Sequence, residues 1–398
     1  MTVKKSILIV WPYEREDLIR HFKELYKYYN VVYLNRRDRD GDEKFVLPET
    51  CRVIYWNNYK NAQELIGSVR PSMIIFMSLV STYTIALNIA AKKALIPTVI
   101  MQHGNTEPLN NMHEAILEKR RVGSRDSEQM NKSSLLFFFK TVKLYNPVLI
   151  FRQLRFLFYK GTKTTAFALG KAFYHGLKPC YIFVFNKYMG RHLVSKYRAE
   201  NDTIVEVGNF AFEQIEEDGE NESLDINYRY LLFIDQPLPE LKFADGSRIN
   251  LHTFYNKLAG LLDHVGFKLL VKAHPHSIKS SLLNEEDSYI LWRGKLNQKL
   301  VKQAEAVSGF FSTLLIPTIE LKRAIIFKIK ELSFYQDVSD LVQIVDLTKS
   351  NEWSSEFIND LKTDNFIFNR ELFAKRFKLE NSGTIKENLV RALKEIER

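Results

Sequence analysis

The sequence predicts an α/β protein with two Rossmann-like domains that face each other across a cleft. Short runs of β-branched and aromatic residues alternate with helical patterns in both halves of the chain, which is typical of parallel sheets covered by helices. An acidic segment poor in apolar residues, 213–225, lies between the halves. A chain of 398 residues is also too long for one ordinary core. We therefore assign 1–220 to a first domain, 221–385 to a second, and 386–398 to a C-terminal helix.

The first half carries six short apolar runs that predict the strands of one parallel sheet. They are Ile7–Trp11, Val31–Leu34, Val53–Trp56, Met73–Met77, Thr98–Met101 and Tyr181–Phe185. Between several of them the apolar spacing predicts helices at Arg15–Tyr29, Ala62–Val69 and Thr82–Ala94.

The second half repeats this alternation. Its predicted strands are Tyr230–Ile234, Lys268–Val271, Tyr289–Trp292, Ala306–Phe311, Ala324–Ile329 and Val342–Val345. The last segment, Thr384–Arg398, has the pattern of a charged amphipathic helix.

Composition points to a cytoplasmic location. The two cysteines, Cys51 and Cys180, match neither a disulfide framework nor a metal spacing, which favours a reducing compartment. The first twelve residues lack a small-residue cleavage site and are interpreted as a first strand. No run of 18 apolar residues predicts a membrane-spanning helix.

A basic and aromatic region, about 131–180, predicts a helical insertion in the first domain. From Asn131 to Cys180 the chain has nine Lys or Arg, eleven aromatic residues and no Asp or Glu. Three interpretations are open: nucleic-acid binding, core helices with a basic outer face, and docking to a membrane surface. The absence of a recognised nucleic-acid motif argues against the first. We favour docking, with anionic lipid contacted by Lys140, Lys143, Arg152, Arg155 and Lys160.

Four polar motifs follow predicted strands. They are Gln102-His103-Gly104, Gly208-Asn209, Asp235-Gln236-Pro237 and His274-Pro275. Each alone is explained by a turn. Together they lie at the carboxyl edges of two sheets, where open α/β sheets bind ligands.

Ser312 and Thr313 follow another predicted strand and precede a predicted helix. Their hydroxyls can cap that helix, and a hydroxyl left over can bind a phosphate beside the helix N-terminus. His274 and Lys272 supply cationic groups at the neighbouring strand end, Lys272 lying two residues earlier on the same side of its strand. We expect these four residues to bind a phosphate-bearing ligand without a metal.

Asp235 follows five apolar residues and is expected to be nearly buried. It either accepts hydrogen bonds from a turn or acts as a nucleophile or general base. We find no persuasive metal site. The segment Asp38-Arg39-Asp40 lies in a charged loop, and His274-Pro275-His276 is too compact for tetrahedral zinc.

These motifs, in this order, resemble those of bacterial surface-polysaccharide glycosyltransferases of the GT-B fold with an HP motif and a following Ser-Ser or Ser-Thr motif. That group includes sialyltransferases and polysialyltransferases, Kdo transferases, and the polyol-phosphate polymerases of teichoic acid synthesis. The resemblance covers about residues 97–320. It implies that His274, Ser312 and Thr313 bind the phosphate of a cytidine-linked donor, in a second domain that binds the nucleotide sugar while the first binds the acceptor.

Two departures bear on the donor. Many sialyltransferases of this kind have an acidic motif where this chain has Gln102-His103-Gly104. The polyol-phosphate polymerases have a His-Gly there, but Gln102 replaces their aromatic residue. Asp235 before Gln236 is similar to retaining β-Kdo transferases, in which an Asp is implicated as the nucleophile.

The sequence thus predicts a metal-independent, CMP-sugar-dependent glycosyltransferase of capsule or lipopolysaccharide synthesis that needs no cofactor. We expect Kdo as the sugar, with sialic acid second and polyol-phosphate transfer from a CDP-polyol third; a non-catalytic glycan- or lipid-binding scaffold is the remaining alternative. The expected roles are catalysis by Asp235, His103 and Glu107, and donor or substrate binding by His274, Lys272, Ser312, Thr313, Gln236, Gly208, Asn209 and Gln102. Its partners would be the donor, a glycan or lipid-linked acceptor, and the inner face of the cytoplasmic membrane, with no nucleic acid.

Overall fold

The structure is a computed structural model. It describes residues 4–11, 19–35, 47–49, 51–104, 125–143, 145–163, 165–215, 226–238, 240–243, 245–274, 277–278, 283, 288–349, 352–363, 367–379 and 383–398.

The first sheet has seven parallel strands. They are β1 (Ser6–Val10), β2 (Asn30–Asn35), β3 (Cys51–Tyr55), β4 (Pro71–Phe76), β5 (Thr98–Met101), β6 (Tyr181–Val184) and β7 (Ile204–Glu206). Their order is β3-β2-β1-β4-β5-β6-β7. The register places Ile7 opposite Val31 on one side and Met73 on the other. All six strands predicted for the first half are confirmed, because strands buried on both faces are continuous apolar runs.

The second sheet has six parallel strands in the order β12-β11-β8-β13-β14-β15. They are β8 (Tyr230–Ile234), β11 (Lys268–Lys272), β12 (Ile290–Trp292), β13 (Ala306–Gly309), β14 (Ala324–Lys328) and β15 (Gln343–Asp346), while β9 (Leu241–Lys242) and β10 (Arg248–Ile249) form a small antiparallel hairpin apart from it. Every predicted strand of this half is confirmed. The sequence did not predict the hairpin.

Helices connect the strands of both sheets. In the first half they are α1 (Ala62–Val69), α2 (Thr82–Lys93), α3 (Arg125–Val142), α4 (Val148–Thr162), α5 (Thr165–Lys171) and α6 (Lys187–Tyr197). In the second they are α7 (Leu251–Asp263), α8 (Gln298–Gln303), α9 (Leu315–Leu321), α10 (Ser333–Val338), α11 (Trp353–Lys362), α12 (Arg370–Phe377) and α13 (Ile385–Ile396). The predicted helix 15–29 is a 3-10 helix, Arg20–Lys27, over its described part.

The chain divides into two compact units, 1–208 with 379–398, and 209–378. Each contains one of the two parallel sheets, as the predicted fold class requires. The predicted linker near residue 220 falls in 216–225, outside the described residues.

The predicted helical insertion is confirmed. Helices α3, α4 and α5 lie between β5 and β6, in the first unit. Their inner side joins the core: Phe137, Phe138 and Phe156 are buried there. In the described part of the chain, no helix is both long enough and apolar enough to span a membrane.

Close packing between strands β8 and β13 depends on one glycine in the second unit. A Cβ on Gly309 would lie 3.0 Å from the carbonyl oxygen of Ile234 and 2.9 Å from a methyl of Leu315. Backbone at this distance cannot give way easily, so only glycine lets α9 pack this closely against the two strands. This brings the residues after β8 and β13 together at one edge of the sheet.

Candidate functional site

The strand order of the second sheet defines where its site lies. From β8 the chain runs outward through β11 and β12, and then returns to β13 on the other side of β8. Adjacent strands whose connections leave in opposite directions form the crevice at which doubly wound sheets bind ligands. Asp235 and Gln236 directly follow β8, and Ser312 and Thr313 follow β13. The structure therefore brings these predicted residues to the switch point.

Asp235 fastens the loop that carries His274. Its side chain is 3% exposed. One carboxylate oxygen accepts a hydrogen bond from the Tyr255 hydroxyl at 2.7 Å, and the other accepts one from the His274 backbone N–H at 2.9 Å. The Asp235 N–H donates to the Lys272 carbonyl at 3.1 Å. Each carboxylate oxygen thus accepts one hydrogen bond, as the turn-acceptor interpretation expects, and the nucleophilic role stays a prediction.

Tyr255 completes this arrangement and was missed by the sequence reasoning. It is fully buried on α7 and packs edge-on against Phe233, with ring centroids 5.0 Å apart. Burial, together with the neighbouring Asp235 carboxylate, holds the pKa of Tyr255 well above its usual value, so the hydroxyl remains a donor. A buried tyrosine needs a partner for its hydroxyl, and that requirement was the available signal.

Lys272 lies at the end of β11, half-buried, with its ammonium 3.3 Å from the Ala273 carbonyl. Burial lowers the pKa of Lys272, and the nearby Asp235 carboxylate opposes that shift only in part. A partly desolvated ammonium gains more than an exposed one when an anion binds beside it. Lys272 is therefore suited to a phosphate.

The backbone of His274 starts a short helical turn. Its carbonyl accepts hydrogen bonds from the N–H groups of Ser277 at 2.9 Å and Ile278 at 3.3 Å. Because Asp235 also binds its N–H, the His274 backbone is held on both sides of its Cα. This fixes the position from which the half-buried imidazole ring extends. Pro275 and His276 lie outside the described residues.

Gln236 joins the ends of β8 and β13. Its side-chain oxygen accepts the Phe311 N–H at 2.9 Å. One residue on, the Ser312 hydroxyl accepts the Leu314 N–H at 3.3 Å, and as a hydroxyl it still has a proton to donate. The Thr313 hydroxyl is half-buried and makes no hydrogen bond within the described part of the chain. Both hydroxyls thus have donors available to a ligand.

In the first unit, Gln102 is a structural link. It is 1% exposed, and its amide nitrogen donates to the carbonyls of Gly104 at 3.1 Å and Met189 at 3.2 Å. Its oxygen accepts the Phe185 N–H at 2.9 Å. These bonds tie the end of β5 to the end of β6. Gln102 therefore holds the neighbouring His103 in place, and its own polar atoms are committed to backbone groups.

His103 is exposed, and its ring lies edge-on to the buried Trp11 with ring centroids 5.5 Å apart. Trp11 follows β1 and His103 follows β5, so both lie at the carboxyl edge of the first sheet. An exposed imidazole at this edge can accept a proton from a substrate hydroxyl. Glu107, its predicted partner, lies outside the described residues.

Gly208 and Asn209 have structural contacts. Gly208 has a φ of +98°, and a Cβ there would lie 2.7 Å from Ile385 of α13. The buried Asn209 side chain accepts the Ala211 N–H at 3.0 Å, which starts the 3-10 helix Phe210–Gln214. Both residues are needed for the backbone path itself, and their predicted part in substrate binding stays a prediction.

Over the described ranges, no three His, Cys, Asp or Glu side chains lie close enough together to hold a metal ion. Asp38-Arg39-Asp40 falls in the gap between residues 35 and 47.

The family follows from comparison with known proteins. A sequence profile described as alpha-2,8-polysialyltransferase (POLYST) matches residues 57–336, well over half of the chain. The chain belongs to the alpha-2,8-polysialyltransferase family. The matched range includes His103, Asp235, His274, Ser312 and Thr313. No curated protein sequence matches this family member.

Solved structures similar to this polysialyltransferase-family chain are GT-B glycosyltransferases and related nucleotide-sugar enzymes. The glycotransferase of kitacinnamycin is 10% identical, with 100% of both chains covered and a TM-score of 0.56. The wall teichoic acid polymerase TagF is 12% identical over 99% of this chain and 89% of its own, with a TM-score of 0.54. MnaA of S. aureus with UDP is 12% identical over 99% and 97%, with a TM-score of 0.53. At these identities the likeness shows the fold alone. With the family match, the chain is a glycosyltransferase of the GT-B fold, which confirms that part of the sequence prediction.

Proposed function

We propose that the protein transfers sialic acid from CMP-sialic acid to a hydroxyl of a glycan acceptor. Membership of the polysialyltransferase family favours sialic acid over Kdo, which the sequence motifs alone placed first. Both sugars are CMP-activated ulosonic acids, so the same phosphate site serves either. Kdo therefore remains the second donor to be tested.

This proposal is supported by the polar residues grouped at the switch point of the second sheet. The Asp235 carboxylate fixes the His274 backbone, and Lys272 ends the strand beside it. Ser312 and Thr313 offer hydroxyl donors from the next strand. We assign the CMP phosphate to His274, Lys272, Ser312 and Thr313. Gln236 keeps the two strand ends together.

The reaction then needs a base that takes one proton and a stabilised leaving group. The hydroxyl oxygen of the glycan acceptor forms a bond to the anomeric carbon of the sugar. The bond from that carbon to the phosphate oxygen breaks, so that CMP leaves with the electron pair. Lys272 and His274 neutralise the charge on the leaving phosphate. We propose His103 as the base that takes the acceptor's proton, with Glu107 as its candidate helper. Asp235 acts through His274 as a positioning residue.

The acceptor and its location complete the proposal. We propose a glycan or lipid-linked acceptor of bacterial capsule or lipopolysaccharide, modified at the inner face of the cytoplasmic membrane. The nine cations and no acids of 131–180 support an anionic surface as the place of work.

Nucleotide titration tests the donor class. Thermal stability is measured with CMP, CDP and UDP, and a ligand at 100 times its Kd should add about 2.7 kcal/mol of stability. We expect CMP to stabilise most, and turnover with CMP-sialic acid to exceed turnover with CMP-Kdo. Preference for CDP would instead favour transfer of a polyol phosphate. If none of the three nucleotides stabilised the protein, the non-catalytic scaffold would be the remaining interpretation.

Variants then test the assigned roles. His274→Ala should lose about 3 kcal/mol of transition-state stabilisation, a loss of about a hundredfold or more in kcat/KM. Near-normal turnover would refute the phosphate site. Asp235→Asn should keep measurable kcat with a raised KM, because Asn retains an acceptor atom. A sugar adduct on Asp235, detected by intact mass, would instead establish it as the nucleophile.

A further inference from the structure

Helix α4 turns one face to the core of the first unit. Leu149, Gln153 and Phe156 are buried, and Tyr174 donates its hydroxyl to Gln153 at 2.5 Å. At about 100° per residue these three side chains lie within about 60° of one another around the helix. The buried face of α4 is therefore narrow and well defined.

The opposite face carries the most exposed aromatic side chains of the insertion. Phe151 is 72% exposed and Phe158 is 64% exposed. Both lie roughly 180–200° around the helix from Leu149, so they point directly away from the core. Val148 and Leu154, at 53% and 43%, extend the same apolar face. A contiguous exposed face of this kind marks an interaction site.

Cations flank this apolar face. Two arginines are exposed on α4: Arg155 lies beside Val148 at one side of the apolar face, and Arg152 lies just beyond it. Arg152 is also within electrostatic reach of His175: burial first, and then Lys92, Lys93 and Arg152, lower the pKa of His175. Helix α2, which ends at Lys93, packs against the turn that contains His175. A second basic group, Lys92 and Lys93, thus lies near the same turn as Arg152.

One of the cations predicted to contact lipid has a partner within the protein. The sequence prediction included Lys160, whose ammonium donates to the Val80 carbonyl at 2.8 Å on the inner side of α4. The aromatic run Phe137–Phe139 is likewise largely taken up by the core. We therefore centre the docking surface on the outer face of α4 with its two arginines; of the other cations predicted to contact lipid, Lys143 is exposed and Lys140 is half-buried.

We propose that the outer face of α4 docks on an anionic membrane, with Phe151 and Phe158 entering the headgroup boundary and Arg152 and Arg155 contacting lipid phosphates. Charge complementarity decides the partner: the region has cations beside exposed aromatic residues and no acids from 131 to 180. A self-association face would be expected to supply acids for those arginines. A nucleic-acid face would not need four apolar side chains aimed outward. This inference deepens the proposed membrane location and is independent of the donor sugar.

Vesicle binding by the full chain tests this surface. The protein is sedimented with vesicles of phosphatidylcholine alone and of phosphatidylcholine mixed with phosphatidylglycerol. Binding should require the anionic lipid and should fall with salt. Arg152→Gln with Arg155→Gln should lower the partition coefficient about 25-fold, at about 1 kcal/mol per cation. Phe151→Ser with Phe158→Ser should lower it at least about tenfold.

Matched controls come from the second unit. Ile367→Ser removes an apolar side chain that is 88% exposed, and Lys299→Gln with Lys302→Gln removes two cations of α8; neither should change vesicle binding. Stabilisation by CMP should persist in every variant, which separates failure of docking from failure of the catalytic proposal. The inference is overturned if the double variant Phe151→Ser with Phe158→Ser binds vesicles as well as the wild type does. It is equally overturned if the face instead forms a dimer or prefers RNA to vesicles.

Discussion

Replacing Tyr255 with phenylalanine removes one donor from the Asp235 carboxylate and leaves the buried ring in place. The hydroxyl lies 2.7 Å from the carboxylate oxygen, and Asp235 is only 3% exposed, so water does not take over the lost bond. A hydrogen bond to a charged group contributes about 1.5–3 kcal/mol. We expect Tyr255→Phe to lower the free energy of unfolding by about 2 kcal/mol.

A second tyrosine in the same unit offers a matched control. The Tyr230 hydroxyl donates at 2.7 Å to the Leu300 carbonyl, a neutral acceptor, in an equally buried setting. Such a bond contributes about 1 kcal/mol. Tyr230→Phe should therefore cost about half as much as Tyr255→Phe in urea denaturation.

Ligand binding provides the decisive comparison between the two variants. Tyr255→Phe loosens the carboxylate that fixes the His274 backbone, so the Kd for CMP should rise several-fold. Tyr230→Phe should leave that Kd unchanged, because Tyr230 begins β8 and Asp235 follows the opposite end of that strand. Equal costs in stability, with CMP binding unaltered in both variants, would refute the positioning role of Asp235.

Three further predictions concern the same unit. Thr313→Val should weaken CMP binding in calorimetry without loss of stability. Thr318→Val removes a buried hydroxyl bonded to a carbonyl 2.7 Å away, so it should lower stability by about 1 kcal/mol and leave CMP binding unchanged. The reverse pattern would place the phosphate site elsewhere. Gly309→Ala should destabilise by about 1–3 kcal/mol because its Cβ meets backbone at 3.0 Å, and Gly260→Ala, with nothing within 4 Å, should be neutral or stabilising in the same urea titration. Because burial lowers the pKa of Lys272, its ammonium loses its proton at a lower pH than an ordinary lysine, whose pKa is about 10.4. CMP affinity should then fall as pH rises through that lowered pKa, and Lys272→Met should abolish this alkaline loss; an unchanged pH profile would exclude Lys272 from the site. The sign for stability is opposite: protonated Lys272 is disfavoured in the folded state, so its destabilising contribution is relieved as pH rises toward 10.4.

Much of the fold was predictable because parallel strands buried on both faces have continuous apolar sequences. The polar residues that interrupt those runs mark strand ends, and this located Asp235, His274 and Ser312 at one edge. Which of them lie together was not predictable from spacing alone, since it depends on the order of the strands. Tyr255 lies 20 residues after Asp235 on a helix, and only the packing of α7 on β8 brings the pair into contact.

Orientation was the second limit of the sequence. A count of nine cations in 131–180 does not say which of them face outward. Lys160 belongs to the inner side of α4 and Arg155 to the outer, a difference set by helical phase relative to the core. The phase could have been read from Leu149, Gln153 and Phe156, but only once their burial was known.

The return of the chain to its first unit has a consequence for biosynthesis. Helix α13 covers Gly208, and Glu397 near its end accepts a hydrogen bond from Ser72 at 2.8 Å and pairs with Lys5 at 3.3 Å. The 190 residues after Gly208 must leave the ribosome before these contacts form, which takes roughly 10–40 s at ordinary rates of translation. The second unit is a continuous segment and is fully synthesised within that interval. The unit begun first is thus finished last, and until then Ser72 and Lys5 lack the partner that Glu397 supplies.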